Sequence, residues 1–204
     1  MRKSASDAQR TRDRIVSAAV MRASGAGLSG LTIGSLAEAL GMSKAGVIGP
    51  FGSRANLQLT VLTKAVDMFA EAVVEPSLTA DPGLPRLHAV IDTWCDYLAH
   101  SPFPNGCFVT AASCELDGQP GELRAYLQQR VTRWRDFLRE QIVIAQAAGD
   151  ISTELDAEDL SPLLTGIAMS ANQEIQLLGD DTAAARARRL MRAVIGQDAI
   201  RTQR

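Results

Sequence analysis

The stretch Thr32–Arg54, TIGSLAEALGMSKAGVIGPFGSR, limits the possible folds more than any other part of the chain. It holds two short apolar-periodic segments, each opened by a hydroxyl residue. Thr32 reads as the N-cap of IGSLAEAL and Ser43 as the cap of the next segment, because a side-chain oxygen can accept one of the N–H groups that a helix start leaves unpaired. Gly41 suits the left-handed stop between them. Pro50 lacks an N–H and disfavours helical backbone at Gly49, so the second segment is predicted to falter there. Ile33, Leu36, Ala37 and Leu40 share the inner face, and Ala37 and Gly41 are small enough for two helices to cross closely. This is the layout of a helix-turn-helix, whose second helix meets a DNA major groove with its N-terminal residues. Structural helix pairs share such turns, so the motif needs its surroundings.

Those surroundings are helical. A first helix is predicted over about 8–25, with Ile15, Ala18 and Ala19 on one face and the glycine-rich SGAGLSG as its stop. Ser53 caps a fourth helix running to Pro76. Asp81 reads as a cap with Pro82 at the first position of a helix to about His100. SPFPNG breaks the chain before a helix at roughly 105–115. A long amphipathic helix fills about 120–148, with Leu123, Leu127, Val131, Trp134, Leu138 and Ile142 at three- and four-residue steps. Two more helices, about 157–178 and 181–197, close the sequence. The expectation is an all-α chain of nine helices with no strand; aromatics at 4% agree, since strands favour aromatic and β-branched residues.

At 204 residues the chain can bury a core without disulfide or metal staples. Its three cysteines, Cys95, Cys107 and Cys114, have no Cys-x-x-Cys spacing and only two histidines accompany them, so neither a metal site nor a cofactor is expected. No nucleophile–base pair or glycine-rich phosphate loop points to catalysis. No apolar run of about 18 residues offers a membrane span, and no signal-peptide core follows the basic start, which fits a cytoplasmic protein.

Charge divides the chain. Residues 1–60 hold eight basic residues, Arg2, Lys3, Arg10, Arg12, Arg14, Arg22, Lys44 and Arg54, against three acidic ones. The remainder holds thirteen basic and twenty acidic residues. A basic head on an acidic body suits a small part that meets a polyanion.

The segment TRDRIVSAAVMRASGAGLSGLTIGSLAEALGMSKAGVIGPFGSRANLQ resembles the N-terminal domain of TetR/AcrR-type transcriptional regulators. The likeness lies in R-x-x-I-x-x-A-A of the first helix, T-I-x-x-L-A-x-A-x-G-M-S-K through the turn, and F-x-S-R-x-x-L into the fourth helix. GCFVTAASCELDGQPGELRAYL and the later WRDFL look like that family's C-terminal ligand and dimer domain. The resemblance implies a helix-turn-helix DNA-binding domain over 1–52 and a ligand-binding and dimerisation domain over 53–204. It implies a homodimer whose last two helices pair, a double-stranded, near-palindromic operator, and release by a small effector. Two reading helices would then lie roughly 34–36 Å apart, one helical turn of DNA.

The residues expected at the DNA are Thr32, Ser43, Lys44, Ala45, Gly46, Ile48, Gly49 and Arg54. Lys44 is the main polar reader, Ala45 is small enough to touch a thymine methyl, and helix N-termini favour phosphates. The family pattern usually has Tyr at position 48 and often His or Tyr near 50; here they are Ile48 and Pro50, so those two contacts do not carry over. The arginine-rich start offers cations along a phosphate strand or in the minor groove.

Expected effector-lining residues are Trp94, Tyr97, Phe103, Cys107, Phe108, Trp134, Phe137, Met169 and Asn172, which suit an apolar or aromatic ligand. Aromatic residues at helical spacing also make ordinary core. The expected dimer face is Leu160, Leu163, Leu164, Ile167 and Ala171 with Leu190 and Val194. The alternative function is a helical dimer that binds a small molecule, or senses thiol oxidation, with weakened or lost specific DNA recognition.

Overall fold

The computed structural model describes residues 5–196. The helices are α1 (Ala5–Gly30), α2 (Ile33–Leu40), α3 (Lys44–Ile48), α4 (Arg54–Phe69), α5 (Glu75–Ser77), α6 (Leu84–Ala99), α7 (Phe108–Leu116), α8 (Glu122–Ala148), α9 (Ala157–Leu178) and α10 (Ala183–Ile195). A π-helical turn, Ala70–Val74, joins α4 to α5, so these form one helical run and the segments number nine among the described residues. No strand occurs there, as the sequence predicts. Arg2 and Lys3 of the basic start, and Gln197 of the last expected helix, lie outside the described residues.

The chain clusters into two compact units. One runs through Met68 and includes Phe103–Leu127; the other comprises Phe69–Pro102 and the chain from Gln128 onward. The unit containing the head is therefore larger than residues 1–52. Side-chain bonds to the α1–α2 junction explain this: Arg54 donates to the carbonyls of Ser29 (2.6 Å) and Leu31 (3.2 Å), and Gln58 to that of Leu28 (2.6 Å). From α7, Glu115 accepts the N–H groups of Leu28 (2.9 Å) and Ser29 (2.7 Å).

Three predicted boundaries move. The first helix passes Gly25 and breaks at Gly27, whose φ of 75° and ψ of 165° are not helical. That break frees the two N–H groups that Glu115 takes, and a Cβ at Gly27 would lie 2.9 Å from its carboxylate. The helix expected from Pro82 starts at Leu84 instead, behind Gly83 at φ 93°. The Gly83 N–H donates to Oε1 of buried Gln141 at 3.2 Å, which fixes the entry. Cys107 precedes α7 as its N-cap rather than lying within the helix.

In the second unit, α10 turns a stripe of Ala183, Ala184, Ala187, Met191 and Ile195 inward. Small residues let it pack closely against α9 and α6. On α9, Leu160, Leu164, Ala168 and Ala171 are buried within the single chain. Leu160, Leu164 and Ala171 are thus core, a correction to the dimer face expected from the sequence: the α9 stripe that stays open carries Leu163, Gly166 and Ser170, with Ile167 at its edge. On α10, Leu190 is exposed and Val194 half-buried. Arg188 and Arg192 reach Asp92 (3.1 and 2.6 Å), and Arg188 also reaches Asp96 (2.6 Å), tying α10 to α6. No helix among the described residues is long and apolar enough to cross a membrane.

Candidate nucleic-acid interface and effector core

The head is built on local capping. Thr32 accepts the Ser35 N–H through Oγ1 (3.1 Å), Gly41 ends α2 at φ 62°, and Ser43 accepts the Gly46 N–H (3.0 Å). Each bond uses one N–H that a helix start would otherwise leave unpaired. At Gly46 the fit is tight, since a Cβ there would stand 3.2 Å from the Ser43 hydroxyl and would make it give slightly. Val47 and Phe51 are buried beneath α3 together with Leu36 and Ala37. The opposite face of α3 is open: Ser43, Lys44, Ala45 and Gly49 are exposed, and Gly46 and Ile48 half-buried. The Lys44 stem passes over Gly34, with Cε 3.6 Å from where that residue's Cβ would be, so its side chain is laid against the start of α2.

Two expected DNA residues have internal work. The Thr32 hydroxyl donates to Ser35 Oγ (2.9 Å), and the Arg54 guanidinium serves the carbonyls of Ser29 and Leu31. Both sit at helix starts, as expected, but their donors are partly spent on the fold. Sequence reasoning missed Glu115. Burial pushes its carboxyl up, yet the hydrogen bonds from the Ser29 side chain and from the Ser29 and Leu28 N–H groups outweigh this and hold it below the ordinary value. A carboxyl lowered on folding stabilises the fold above its unfolded pKa, and that contribution is lost as pH falls through the folded value. Thermal melts between about pH 3 and 6 should therefore show the wild type losing stability below the ordinary value of 4.5 more steeply than Glu115→Gln; parallel losses would remove this role.

In the other unit, aromatic rings gather around Phe69, which the sequence reading passed over. Its ring centroid lies 5.2 Å from Trp134, 5.4 Å from Tyr97 and 6.3 Å from Trp94, each edge-on. Trp94 and Trp134 meet edge to face at 4.9 Å, and Phe137 stacks on Trp134 at 5.9 Å. Phe69 stands at the start of the π turn, a distortion that often marks functional sites. The Thr93 hydroxyl steadies that turn by donating to the Val73 carbonyl at 2.9 Å. Four expected effector residues, Trp94, Tyr97, Trp134 and Phe137, are thus brought together. Phe103 and Phe108 pair at 5.6 Å in the head's unit, where Cys107 is also buried. Met169 is exposed on α9 and Asn172 half-buried.

Burial pushes the Cys95 thiol up to about 11, so it stays protonated and unreactive at neutral pH. Cys114 is exposed. Among the described residues no group of three His, Cys, Asp or Glu side chains could hold a metal.

A capped helix-turn-helix on an all-helical body defines the class of helical transcription regulators. Residues 83–191, more than half the chain, match the family model described as tetracyclin repressor-like, C-terminal domain, and the chain belongs to the TetR family of transcriptional regulators. A TetR regulator from Chloroflexus aurantiacus J-10-FL superposes with a TM-score of 0.83 at 24% identity, covering 90% of this chain and 93% of that one. A TetR-family regulator from Agrobacterium tumefaciens gives 0.80 at 18% identity, covering 93% and 99%. AibR, solved in complex with isovaleryl coenzyme A and operator DNA, gives 0.76 at 20% identity, covering 91% and 98%. At these identities the likeness shows the shared fold. No curated protein matches the chain.

Proposed function

We propose that this chain is a ligand-responsive repressor that binds a near-palindromic operator as a homodimer and leaves it when a small apolar or aromatic effector enters the C-terminal unit. The observation that carries the reading is the open face of α3, with Ser43, Lys44 and Ala45 exposed above the buried Val47 and Phe51. AibR, of the same fold, was captured with both an acyl coenzyme A and its operator, which supports a two-ligand design here. The rings gathered around Phe69, those of Trp94, Tyr97 and Trp134, offer aromatic surface that suits an effector with an apolar or aromatic part.

The recognition helix is poor in polar side chains, so most affinity comes from phosphates, with modest specificity at each half-site. Gel shifts with the DNA flanking the gene test the reading, run against random duplex over a series of salt concentrations. Log affinity should fall steeply with log salt on both. A shallow slope with high specificity would sink the electrostatic account, and no binding at all would favour a helical sensor without DNA recognition. Lys44→Ala should weaken operator binding by about 1–3 kcal/mol; unchanged affinity would remove Lys44 from the interface. Both tryptophans belong to the ring cluster, so an effector that binds there should change their fluorescence.

A further inference from the structure

Two basic residues of α1, Arg12 and Arg14, are folded against the two ends of the reading helix. Arg14 donates to the Leu40 carbonyl at 2.8 Å, just before the turn into α3. The Arg12 guanidinium lies over the Phe51 ring, 5.0 Å from its centroid, just after α3 ends. Phe51 is itself fixed: it is buried, its N–H donates to the Ile48 carbonyl at 2.9 Å, and its carbonyl accepts from Asn56 at 2.9 Å. Neither arginine has a carboxylate partner among the described residues, whereas Arg10 pairs with Asp7. A guanidinium has five donors in a planar fork, and one carbonyl or one ring face leaves most of them free.

We propose that Arg12 and Arg14 are a pair of preorganised phosphate contacts that bracket α3, with Phe51 as the positioning residue for Arg12. They supply at the two ends of the reading helix the backbone anchoring that Ile48 and Pro50 have no groups to give. A planar cation held on an aromatic face loses less freedom on meeting a phosphate than one on a mobile stem. The ring leaves the charge intact and aims it. The proposal rests on the DNA-binding reading above.

The test measures affinity of the full-length protein for duplex DNA flanking its gene and for a random duplex of equal length, across a salt series. Arg12→Ala and Arg14→Ala should each flatten the slope of log affinity against log salt by about one, equally on both duplexes, because phosphate contacts carry no sequence information. Each should also cost on the order of tenfold in affinity at moderate salt. Phe51→Leu keeps an apolar plug; it should weaken binding in the wild-type background and add nothing to Arg12→Ala, the result of a shared contact in a double-mutant cycle. Wild-type binding with unchanged slopes in both arginine variants overturns the bracket alone. Additive losses for Phe51→Leu and Arg12→Ala overturn the role of the ring. A wild type that binds neither duplex overturns the regulator reading and the bracket with it.

Discussion

Trp94→Ala should destabilise the C-terminal unit by about 3–5 kcal/mol, read as a lower midpoint in urea with both units followed separately by hydrogen exchange. Trp94 is only 5% exposed, so truncation removes a large buried surface and leaves a cavity that the helices cannot fully close. Its ring also meets Phe69 and Trp134 edge-on, contacts that contribute about 0.5–1.5 kcal/mol each beyond area. Burial is therefore the larger effect and the ring geometry the smaller. Trp94→Leu separates them, because it keeps much of the apolar volume and loses both ring contacts. The loss in Trp94→Leu should be less than half of that in Trp94→Ala. Equal losses would mean that the aromatic geometry dominates, and a loss under about 1 kcal/mol in Trp94→Ala would mean that the cluster is not core at all.

The parts of this structure that were legible in the sequence are those decided within a few residues. The caps at Thr32 and Ser43, the stop at Gly41 and the end of α3 before Pro50 each depend on a bond or a steric rule three or four residues long. SGAGLSG was legible as a break, but not which glycine breaks. Gly27 does so because Glu115, far along the chain, takes the two N–H groups it frees. The start of α6 moved for the same kind of reason, through Gln141. Phe69 escaped because the fourth helix, read at 3.6 residues per turn to Pro76, gave no sign of the π turn at Ala70–Val74 that begins beside it. Thr93 is the partner that accommodates that turn, and it lies on another helix.

The arginines carry the same lesson in charge. Eight basic residues in the first sixty argued for a polyanion, yet composition gives no partner to any of them. Arg54 turns inward to two carbonyls, while Arg12 and Arg14 are laid against Phe51 and Leu40. Which cations remain for DNA is a tertiary fact.

Leu163→Glu combined with Leu190→Glu should convert the proposed homodimer to a monomer by light scattering, and affinity for the proposed operator should fall by about 10²–10⁴-fold. The magnitude follows from linkage: in a dimer the second head meets its half-site at high effective concentration, an advantage a monomer forfeits without losing any contact of its own. The choice of residues follows from burial. Leu163 is 48% exposed and Leu190 49%, so a carboxylate on either can reach water in the monomer and should leave its fold intact. Leu164, one position along α9, is 1% exposed; a charge there would be buried in the chain's own core, and any loss of dimer would only report unfolding. Leu163, Gly166 and Ser170 recur at three- and four-residue steps, with small residues where a second helix would approach. The groove beside them is lined by Ile167, Glu174, Arg186 and Leu190, with Arg186 already paired to Glu174 so that no lone charge needs burying. Circular dichroism of the double variant should match the wild type. A dimer that persists in that variant would place the interface elsewhere, and a monomer that holds the operator as tightly as the wild type would break the link between pairing and DNA binding.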